Sequence, residues 1–379
     1  MATILITGGA GFIGSHTADA LVGQGHSVRV LDTLDPQIHG TSGGFPGYMN
    51  PAVECVQGDV CDVSQVTQAL QGVDAVYHFA ALTGVGQSMY DLSAYVHTNC
   101  TGTAALLEAI LKRGKPIRRL VLASSRAVYG EGTHVCSIHG TVYPGMRSRE
   151  AMERGEFAAT CPVCGAAASP VPTAEDRPLE PISMYGWTKK QQEEQCQYVA
   201  KTFGLPVTVL RYFNVYGSRQ SLQNPYTGVV SIFYSRILAD QPISVYERGT
   251  PGRDFVHISD VVRANLAALE RDTPAGTCVN VGSGQRHSIL DVAKTLAKII
   301  GKPARLEDRG EFRVGDIHFC YADQTRVRQL LEIDPQVSLE AGLQEFVAWA
   351  RSQQSVDLYQ KTVDELQRHG LFGKVGGTP

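Results

Sequence analysis

The sequence predicts an α/β protein built on a doubly wound parallel sheet, and three observations lead to that prediction. Short apolar runs alternate with helix-like stretches through roughly the first two hundred residues, a rhythm typical of βαβ units. The runs are nearly continuous in apolar residues, as strands covered on both faces are. Small or polar residues follow them directly, at the strand ends where such sheets bind ligands.

The apolar runs give the predicted strands in order, and helical patterns such as Thr103 to Lys112 separate them. The strands are predicted at 4–6, 28–31, 53–56, 74–79, 119–123, 207–210 and 277–281. Because parallel strands end at one edge of the sheet, the residues that follow them should meet there. These residues are Gly8, Asp32, Asp59, Ala80 and Ser125.

A glycine-rich loop, Thr7–Gly14, joins the first strand to a helical pattern. Its glycines allow a tight turn and let the backbone approach a pyrophosphate at the helix N-terminus, as in Rossmann folds. Asp32 ends the second strand, where a carboxylate binds the adenosine ribose and repels a 2′-phosphate. The pattern therefore favours NAD over NADP, unless Asp32 is an ordinary solvated turn residue.

Tyr185 and Lys189 are one helical turn apart in the sequence and should lie on one face of a helix. An ammonium beside a phenol lowers the pKa of the phenol, which can then act as a general base on a sugar hydroxyl. Such pairs are common on helix surfaces, but here the pair accompanies a dinucleotide loop and Ser125. The combination indicates hydride chemistry on an alcohol.

Composition excludes several classes of protein. The net charge of −3 provides no basic field for nucleic acid, and no apolar run is long enough to span a membrane. Nine cysteines, an odd number, argue against a disulfide framework and for a reducing cytoplasm. The N-terminus enters a strand without the pattern of a cleavable signal.

The chain is long enough for two lobes. We expect an NAD-binding Rossmann domain at 1–211, which contains a Cys/His insertion at 133–181. A smaller α+β substrate-binding lobe should occupy 212–360, with 229–285 returning partly to the first domain. Residues 361–379 are expected to form a C-terminal tail, frayed from Gly373 onward.

Taken together, the motifs resemble the extended short-chain dehydrogenase/reductase family, and within it the nucleotide-sugar epimerases. The resemblance covers roughly residues 1 to 350. The matching segments occur in family order: Thr7–Gly14, Asp32, Asp59–Val60, Ala80–Ala81, Asn99, Gly102–Thr103, Ser124–Gly130, Tyr185 with Lys189, Arg211–Gly217, Gly252–His257 and Arg313–Asp316.

The resemblance implies a role for each of these residues. Tyr185 would be the base, Lys189 would hold the nicotinamide ribose, and Ser125 would bond the reacting oxygen, with Ser124 as the alternative. The implied NAD contacts are Gly8, Gly11, Phe12, Ile13, Gly14, Asp32, Asp59, Val60, Ala80, Ala81, Asn99, Tyr185 and Lys189. The implied substrate contacts are Ser125, Arg126, Asn214, Arg253, Arg313 and Asp316. Arg253 or Asp316 could instead be an ordinary surface or turn residue.

The residues after Ser125 narrow the reaction. Dehydratases of the resembled family have Asp-Glu there and glucuronate decarboxylases have a Glu, whereas this chain has Arg126 and Ala127. Transient oxidation and re-reduction at C4 remains, which predicts an NAD-dependent nucleotide-sugar 4-epimerase, an isomerase. Cys320, which the family alignment places beside the sugar, would leave room for the 4-keto sugar to turn; it could equally be a small buried residue.

The insertion contains Cys136-Ser-Ile-His139 and, farther along, Cys161-Pro-Val-Cys164-Gly. Two such chelating turns suit a structural Zn²⁺ with four protein ligands: Cys136, His139, Cys161 and Cys164. His134 is a substitute ligand, and a disulfide between Cys161 and Cys164 or free thiols are the alternatives.

The insertion, with Pro170–Asp176 and Leu34–His39, is similar to that of bacterial dTDP-L-rhamnose 4-epimerases, which make dTDP-6-deoxy-L-talose for surface polysaccharide. UDP-glucose or UDP-glucuronate 4-epimerisation is the next choice. A 4-keto-sugar reductase and a non-catalytic dinucleotide sensor are the readings from other classes. Family analogy also implies a homodimer that pairs through the helix bearing Tyr185.

Overall fold

A computed structural model describes residues 1–41, 43–224, 226 and 228–376. Its centre is a parallel sheet of seven strands. They are β1 (Thr3–Thr7), β2 (Ser27–Asp32), β3 (Glu54–Gln57), β4 (Ala75–His78), β5 (Arg119–Ser125), β6 (Val207–Tyr212) and β7 (Thr277–Val281). Their order across the sheet is β7-β6-β5-β4-β1-β2-β3. Each contains or overlaps a predicted apolar run, so the fold class is confirmed.

Helices cover both faces of this sheet. Side chains alternate across β1, where Ile4 and Ile6 belong to one buried cluster and Leu5 to the other. The first cluster includes residues of helices Phe12–Gly23 and Ile258–Glu270. The second includes helices Val63–Ala69, Gly102–Lys112 and Met184–Phe203. Burial on both faces explains why the strands read as continuous apolar runs.

The remaining elements form a second cluster and several small sheets. A third buried cluster joins helices Val229–Leu238, Ile289–Ile300 and Leu339–Ala350. The other helices are Pro36–His39, Val85–Ser88, Leu92–Tyr95, Arg149–Glu153, Thr325–Leu331 and Tyr359–Arg368, with π or 3₁₀ turns at Val96–Thr101, Arg126–Tyr129 and Tyr246–Gly249. The small sheets pair Asn214–Tyr216 with Phe255–His257, Ile243–Ser244 with Leu306–Glu307, and Gly252–Arg253 with His287–Ser288 and Phe319–Cys320. The predicted domain boundaries stay a prediction.

The C-terminal segment is not a frayed tail, and that prediction was wrong for the described residues up to 376. Helix Tyr359–Arg368 buries Val363 and Leu366, and strand Phe372–Lys374 pairs antiparallel with Glu311–Arg313. Gly373 makes this pairing possible, because a Cβ there would lie 2.3 Å from the ring of Phe312. Residues 377–379 lie outside the described part of the chain.

The insertion forms a small antiparallel sheet of its own. Strand His134–Cys136 pairs with Gly140–Val142 and with Ser169–Pro170. A single backbone bridge links Thr173 to Ala322, which ties the end of the insertion to the C-terminal region. Among the described residues, no helix combines the length and apolarity that crossing a bilayer requires.

Candidate active site

A cavity of about 1260 Å³ opens at the carboxyl ends of the parallel strands. This is the edge at which doubly wound sheets bind ligands. The cavity collects nearly all of the predicted NAD and substrate residues: Gly8, Gly11, Phe12, Ile13, Gly14, Asp32, Asp59, Val60, Ala80, Ala81, Ser125, Arg126, Tyr185, Lys189, Asn214, Arg253, Arg313 and Asp316. The predicted residue outside its wall is Asn99.

The glycine loop is packed too tightly for side chains. Gly8 has a φ of +69°, and a Cβ there would lie 2.6 Å from the backbone nitrogen of Ala80. A Cβ on Gly14 would lie 2.6 Å from the carbonyl oxygen of Gly8. The loop therefore holds the N-terminus of helix Phe12–Gly23 close to the cavity, where its backbone amides suit a pyrophosphate.

Asp32 is fixed at the end of β2 by its own neighbourhood. One carboxylate oxygen accepts from the Ala10 amide and the other from the Leu34 amide, both at 3.0 Å. His39, the last residue of the segment Leu34–His39, lies 3.5 Å from the same carboxylate. These contacts orient a negative charge at the ribose end of the cavity, as an NAD site requires.

Asn99 has a different place from the one predicted. Its side chain is fully buried, accepts from the Leu82 amide at 2.8 Å, and donates to Thr188 at 2.9 Å. It also donates to the Leu82 carbonyl at 3.1 Å. The amide group of Asn99 thus links the loop after β4 to the helix that bears Tyr185. Asn99 lies behind the cavity wall, and these bonds occupy its amide group.

Ser125, Tyr185 and Lys189 meet at the centre of the cavity. Ser183 caps helix Met184–Phe203 by accepting from the Gly186 amide at 3.1 Å. A Cβ on Gly186 would lie 2.5 Å from the carbonyl oxygen of Ala127, so this helix rests directly on the turn after Ser125. The Ser125 hydroxyl is close enough to the phenol of Tyr185 to lower the pKa of that phenol.

The electrostatics of Tyr185 differ from the expectation. Burial raises the pKa of Tyr185, while the Ser125 hydrogen bond and the charge of Arg126 act in the opposite direction. Lys189 has its ammonium 6.0 Å from the Tyr185 ring centroid and donates to the Ala123 carbonyl at 2.9 Å. Burial lowers the pKa of Lys189 to about 8, against the opposing charge of Glu193. Lys189 is therefore not among the groups that shift the pKa of Tyr185, contrary to the expectation.

Ser124, the alternative to Ser125, points away from the reacting centre. Its hydroxyl bonds to Glu193, which forms a buried ion pair of 2.7 Å with Arg211. Arg211 also donates to the Tyr129 hydroxyl at 2.9 Å. Ser124 belongs to this buried network, which leaves Ser125 as the serine that faces the phenol.

At the substrate end, Asp316 organises a cluster of arginines. Arg253 and Arg313 lie 2.8 and 2.7 Å from its two carboxylate oxygens. Arg147 of the insertion donates to the Asp316 carbonyl at 2.8 Å and pairs with Glu247. Burial alone would raise the pKa of Asp316, but the charges of these guanidinium groups hold it below its usual value.

Other residues near the substrate end refine or correct the expectations. Asn214 has a buried side-chain oxygen without a partner among the described residues, which leaves it available to a ligand. Cys320 lies in a buried cluster with Val128 and Phe213 and does not line the cavity, so it does not provide the expected room for the sugar. Tyr246 lines the cavity and stacks under Arg313 at 5.1 Å, although no sequence motif pointed to it.

The four predicted metal ligands of the insertion come together. Their ligand atoms all lie within 4.8 Å of one another. Cys136 Sγ is 3.8 Å from Cys164 Sγ and 3.8 Å from His139 Nδ1, and Cys161 Sγ is 3.6 Å from the same nitrogen. All nine cysteines are thiols, and His134 bonds the Gly132 carbonyl outside this cluster.

Comparison with known proteins agrees with this geometry. Residues 4–151 and 145–282 match the NAD dependent epimerase/dehydratase family. The chain is 38% identical to a dTDP-L-rhamnose 4-epimerase of Burkholderia thailandensis, covering 91% of this chain and 94% of the relative. It is 29% identical to a UDP-N-acetyl-alpha-D-glucosaminuronate decarboxylase of Bacillus cytotoxicus, over 92% and 97%.

A solved structure is also similar over nearly its whole length. It is a UDP-glucuronic acid 4-epimerase from Bacillus cereus in complex with UDP-glucuronic acid and NAD, with a TM-score of 0.75 and 29% identity. The match covers 92% of this chain and 99% of that one. With its parallel sheet, glycine loop and serine–tyrosine–lysine centre, the chain belongs to the NAD-dependent epimerase/dehydratase family.

Proposed function

We propose that the protein is an NAD-dependent nucleotide-sugar 4-epimerase that interconverts dTDP-L-rhamnose and dTDP-6-deoxy-L-talose. One observation carries the reaction type. The Ser125–Tyr185 contact lies in a dinucleotide cavity, and Arg126 and Ala127 follow Ser125 where an elimination would need carboxylates. The decarboxylase relative lies in the same family, but this chain has no acidic residue at either of those two positions.

Each residue at the centre of the site has its own role in the proposed reaction. Tyr185 as phenolate accepts the proton of the C4 hydroxyl, and Ser125 donates to the same oxygen. Lys189, held by the Ala123 carbonyl, places its ammonium beside the ring. NAD, when bound, would supply reversible hydride acceptance at C4. Tyr185 then gives the proton back, so the sugar leaves without net oxidation.

The choice of dTDP-L-rhamnose rests on the relative of 38% identity and on the Cys/His insertion. UDP-glucuronate and UDP-glucose are the second candidates, because a UDP-glucuronic acid 4-epimerase shares the fold at a TM-score of 0.75. A 6-deoxy sugar presents a methyl group at C5 where glucuronate presents a carboxylate, so the two substrates make opposite demands on the cavity.

The test is incubation with dTDP-L-rhamnose, UDP-glucose and UDP-glucuronate in separate samples, without added cofactor. Proton NMR of the C4 coupling reports inversion directly. We expect a new H4 signal when the wild type is incubated with dTDP-L-rhamnose. The Tyr185→Phe variant, treated in the same way, serves as the control and should show no new signal. Inversion of a UDP sugar alone would transfer the assignment to that substrate. Reduction of a nucleotide 4-keto sugar by added NADH or NADPH, with no inversion of any of the three sugars, would replace the epimerase by a reductase.

We also propose that the Cys/His cluster holds a structural Zn²⁺. Metal–sulfur bonds of about 2.3 Å at tetrahedral angles separate two sulfurs by about 3.8 Å, which is the distance between Cys136 Sγ and Cys164 Sγ. Four protein ligands leave no open position for a substrate, so the ion would order the insertion. Elemental analysis should find one zinc per chain in the native protein and less in Cys161→Ser. A metal-free wild-type protein would refute the assignment.

A homodimer is the proposed assembly. Trp187, Tyr198 and Phe203 are 43%, 64% and 57% exposed on the helix that bears Tyr185. Large aromatic side chains that remain exposed in one protomer suit burial against a second copy. Light scattering should give twice the mass of one chain, and a monomeric mass would exclude this assembly.

A further inference from the structure

Arg126 differs from the other arginines of the cavity wall. Arg219 lies 2.7 Å from Asp19, while Arg253 and Arg313 pair with Asp316. Within the described part of the chain, Arg126 forms no hydrogen bond or ion pair through its guanidinium group. Arg126 is half-buried in the cavity wall, so its unpaired guanidinium donors are available to a ligand bound there.

The backbone that carries Arg126 is rigidly placed beside the reacting centre. Arg126 begins the 3₁₀ turn Arg126–Tyr129, and Ser125 Oγ accepts from the Ala127 amide at 3.1 Å. The close approach of Gly186 to the Ala127 carbonyl fixes this turn against the helix that starts just before Tyr185. The turn and the base therefore keep one relative position.

The charged neighbours of Arg126 include both the base and the arginine cluster. Burial raises the pKa of Tyr185, while Ser125 and the charge of Arg126 lower it. Arg253 and Asp316 are also near enough to interact electrostatically with Arg126. Because all four residues line one cavity, a hexose bound beside Tyr185 would lie within reach of the Arg126 guanidinium.

We propose that Arg126 is a catalytic residue that donates to hexose oxygens next to C4 and stabilises the negative charge shared by the C4 oxygen and Tyr185. The inference rests on the proposed 4-epimerase function. Arg126 transfers no atom. The C4 hydroxyl proton goes to Tyr185 and the C4 hydride to NAD, and both return in the second half of the reaction. A guanidinium suits this role because it stays charged when buried and presents a planar set of donors.

The test compares Arg126→Met and Arg126→Lys with the wild type and with Arg118→Met. Arg118 is an exposed arginine just before β5, at the end of the strand opposite to the cavity, so it controls for the loss of one positive charge. The pH dependence of kcat and of kcat/KM is followed by NMR in each protein. Retention of bound NAD in every variant shows that the fold is intact.

We expect Arg126→Met to move the acid limb of kcat upward by about one pH unit, the lower end of the effect of a neighbouring charge, and to lower activity at pH 7 by at least about tenfold. Arg126→Lys should restore most of the acid limb but keep a raised KM, since an ammonium lacks the planar fork. Arg118→Met should match the wild type. An unchanged acid limb in Arg126→Met would overturn the proposal, whatever its KM.

A measurement without turnover separates this inference from the proposed function. The ultraviolet absorbance of tyrosinate is titrated in each holoenzyme and in the same protein with Tyr185→Phe, and the difference gives the pKa of Tyr185. If the wild type inverts none of the sugars, the proposed function fails. A higher Tyr185 pKa in Arg126→Met would still support the electrostatic part, and an equal pKa would reject it.

Discussion

Replacing Lys189 by Met should stabilise the protein while destroying its activity. Lys189 is 3% exposed, and burial lowers the pKa of its ammonium from the usual 10.5 to about 8. Each unit of such a shift corresponds to about 1.4 kcal/mol of differential stabilisation, so burying the charged form at pH 7 costs about 3 kcal/mol. The lost hydrogen bond to the Ala123 carbonyl offsets about 1 kcal/mol of this. The expected net gain in the free energy of unfolding is about 2 kcal/mol.

The pH dependence distinguishes this electrostatic origin from ordinary repacking. Between pH 8 and 10.5 the unfolded chain keeps the Lys189 proton while the native state releases it. The wild type therefore becomes more stable, relative to Lys189→Met, as pH rises through this window, by up to about 1.4 kcal/mol per pH unit. The advantage of the variant should be full below pH 8 and close to zero near pH ~9.5.

Urea unfolding followed by circular dichroism, on both proteins freed of dinucleotide, measures this difference at pH 7, 8.5 and 9.5. A matched control is Lys112→Met, which changes an exposed lysine on helix Gly102–Lys112. The control should track the wild type at every pH. If Lys189→Met is less stable than the wild type at pH 7, or if the gap does not change with pH, the reasoning is wrong.

Three further changes test other parts of the site. Tyr185→Phe should abolish inversion at C4 yet keep NAD bound, measured as dinucleotide released by acid; residual turnover above about a tenth would contradict the role of the base. Gly14→Ala should weaken NAD binding at least about tenfold, because its Cβ would meet the Gly8 carbonyl, whereas Gly23→Ala in the same helix meets nothing within 4 Å. Glu193→Ala should cost about 3–5 kcal/mol in urea unfolding, since it strands the buried Arg211 charge; a loss under about 1 kcal/mol would refute that estimate.

The sequence predicted the parallel sheet and the dinucleotide loop because both depend on local patterns. Apolar runs such as 277–281 report burial on both faces, and Gly8 and Gly14 report a turn that excludes side chains. Tyr185 and Lys189 were recognisable from their helical spacing. In each case the signal is a short pattern in the sequence itself, even where the packing partner is distant, as Ala80 is from Gly8.

The side-chain placements that the sequence did not predict depend on contacts between distant segments. Asn99 is a buried bridge because Leu82 and Thr188 are packed on either side of it, which no local pattern reveals. Residues 361–379 were predicted to form a tail that frays from Gly373 onward, yet strand Phe372–Lys374 pairs with Glu311–Arg313. The charge of Lys189 was expected to lower the pKa of Tyr185. The fold instead directs the Lys189 ammonium toward the Ala123 carbonyl.

The insertion is joined to the substrate end of the cavity as well as to its own Cys/His cluster. Arg147 leaves the insertion to pair with the buried Glu247 and to donate to the Asp316 carbonyl. Asp316 in turn holds Arg253 and Arg313. The proposed zinc at Cys136, His139, Cys161 and Cys164 would order the insertion and so help to hold Arg147 against the arginine cluster. The Cys/His cluster and the substrate end of the cavity are therefore linked through one inserted segment.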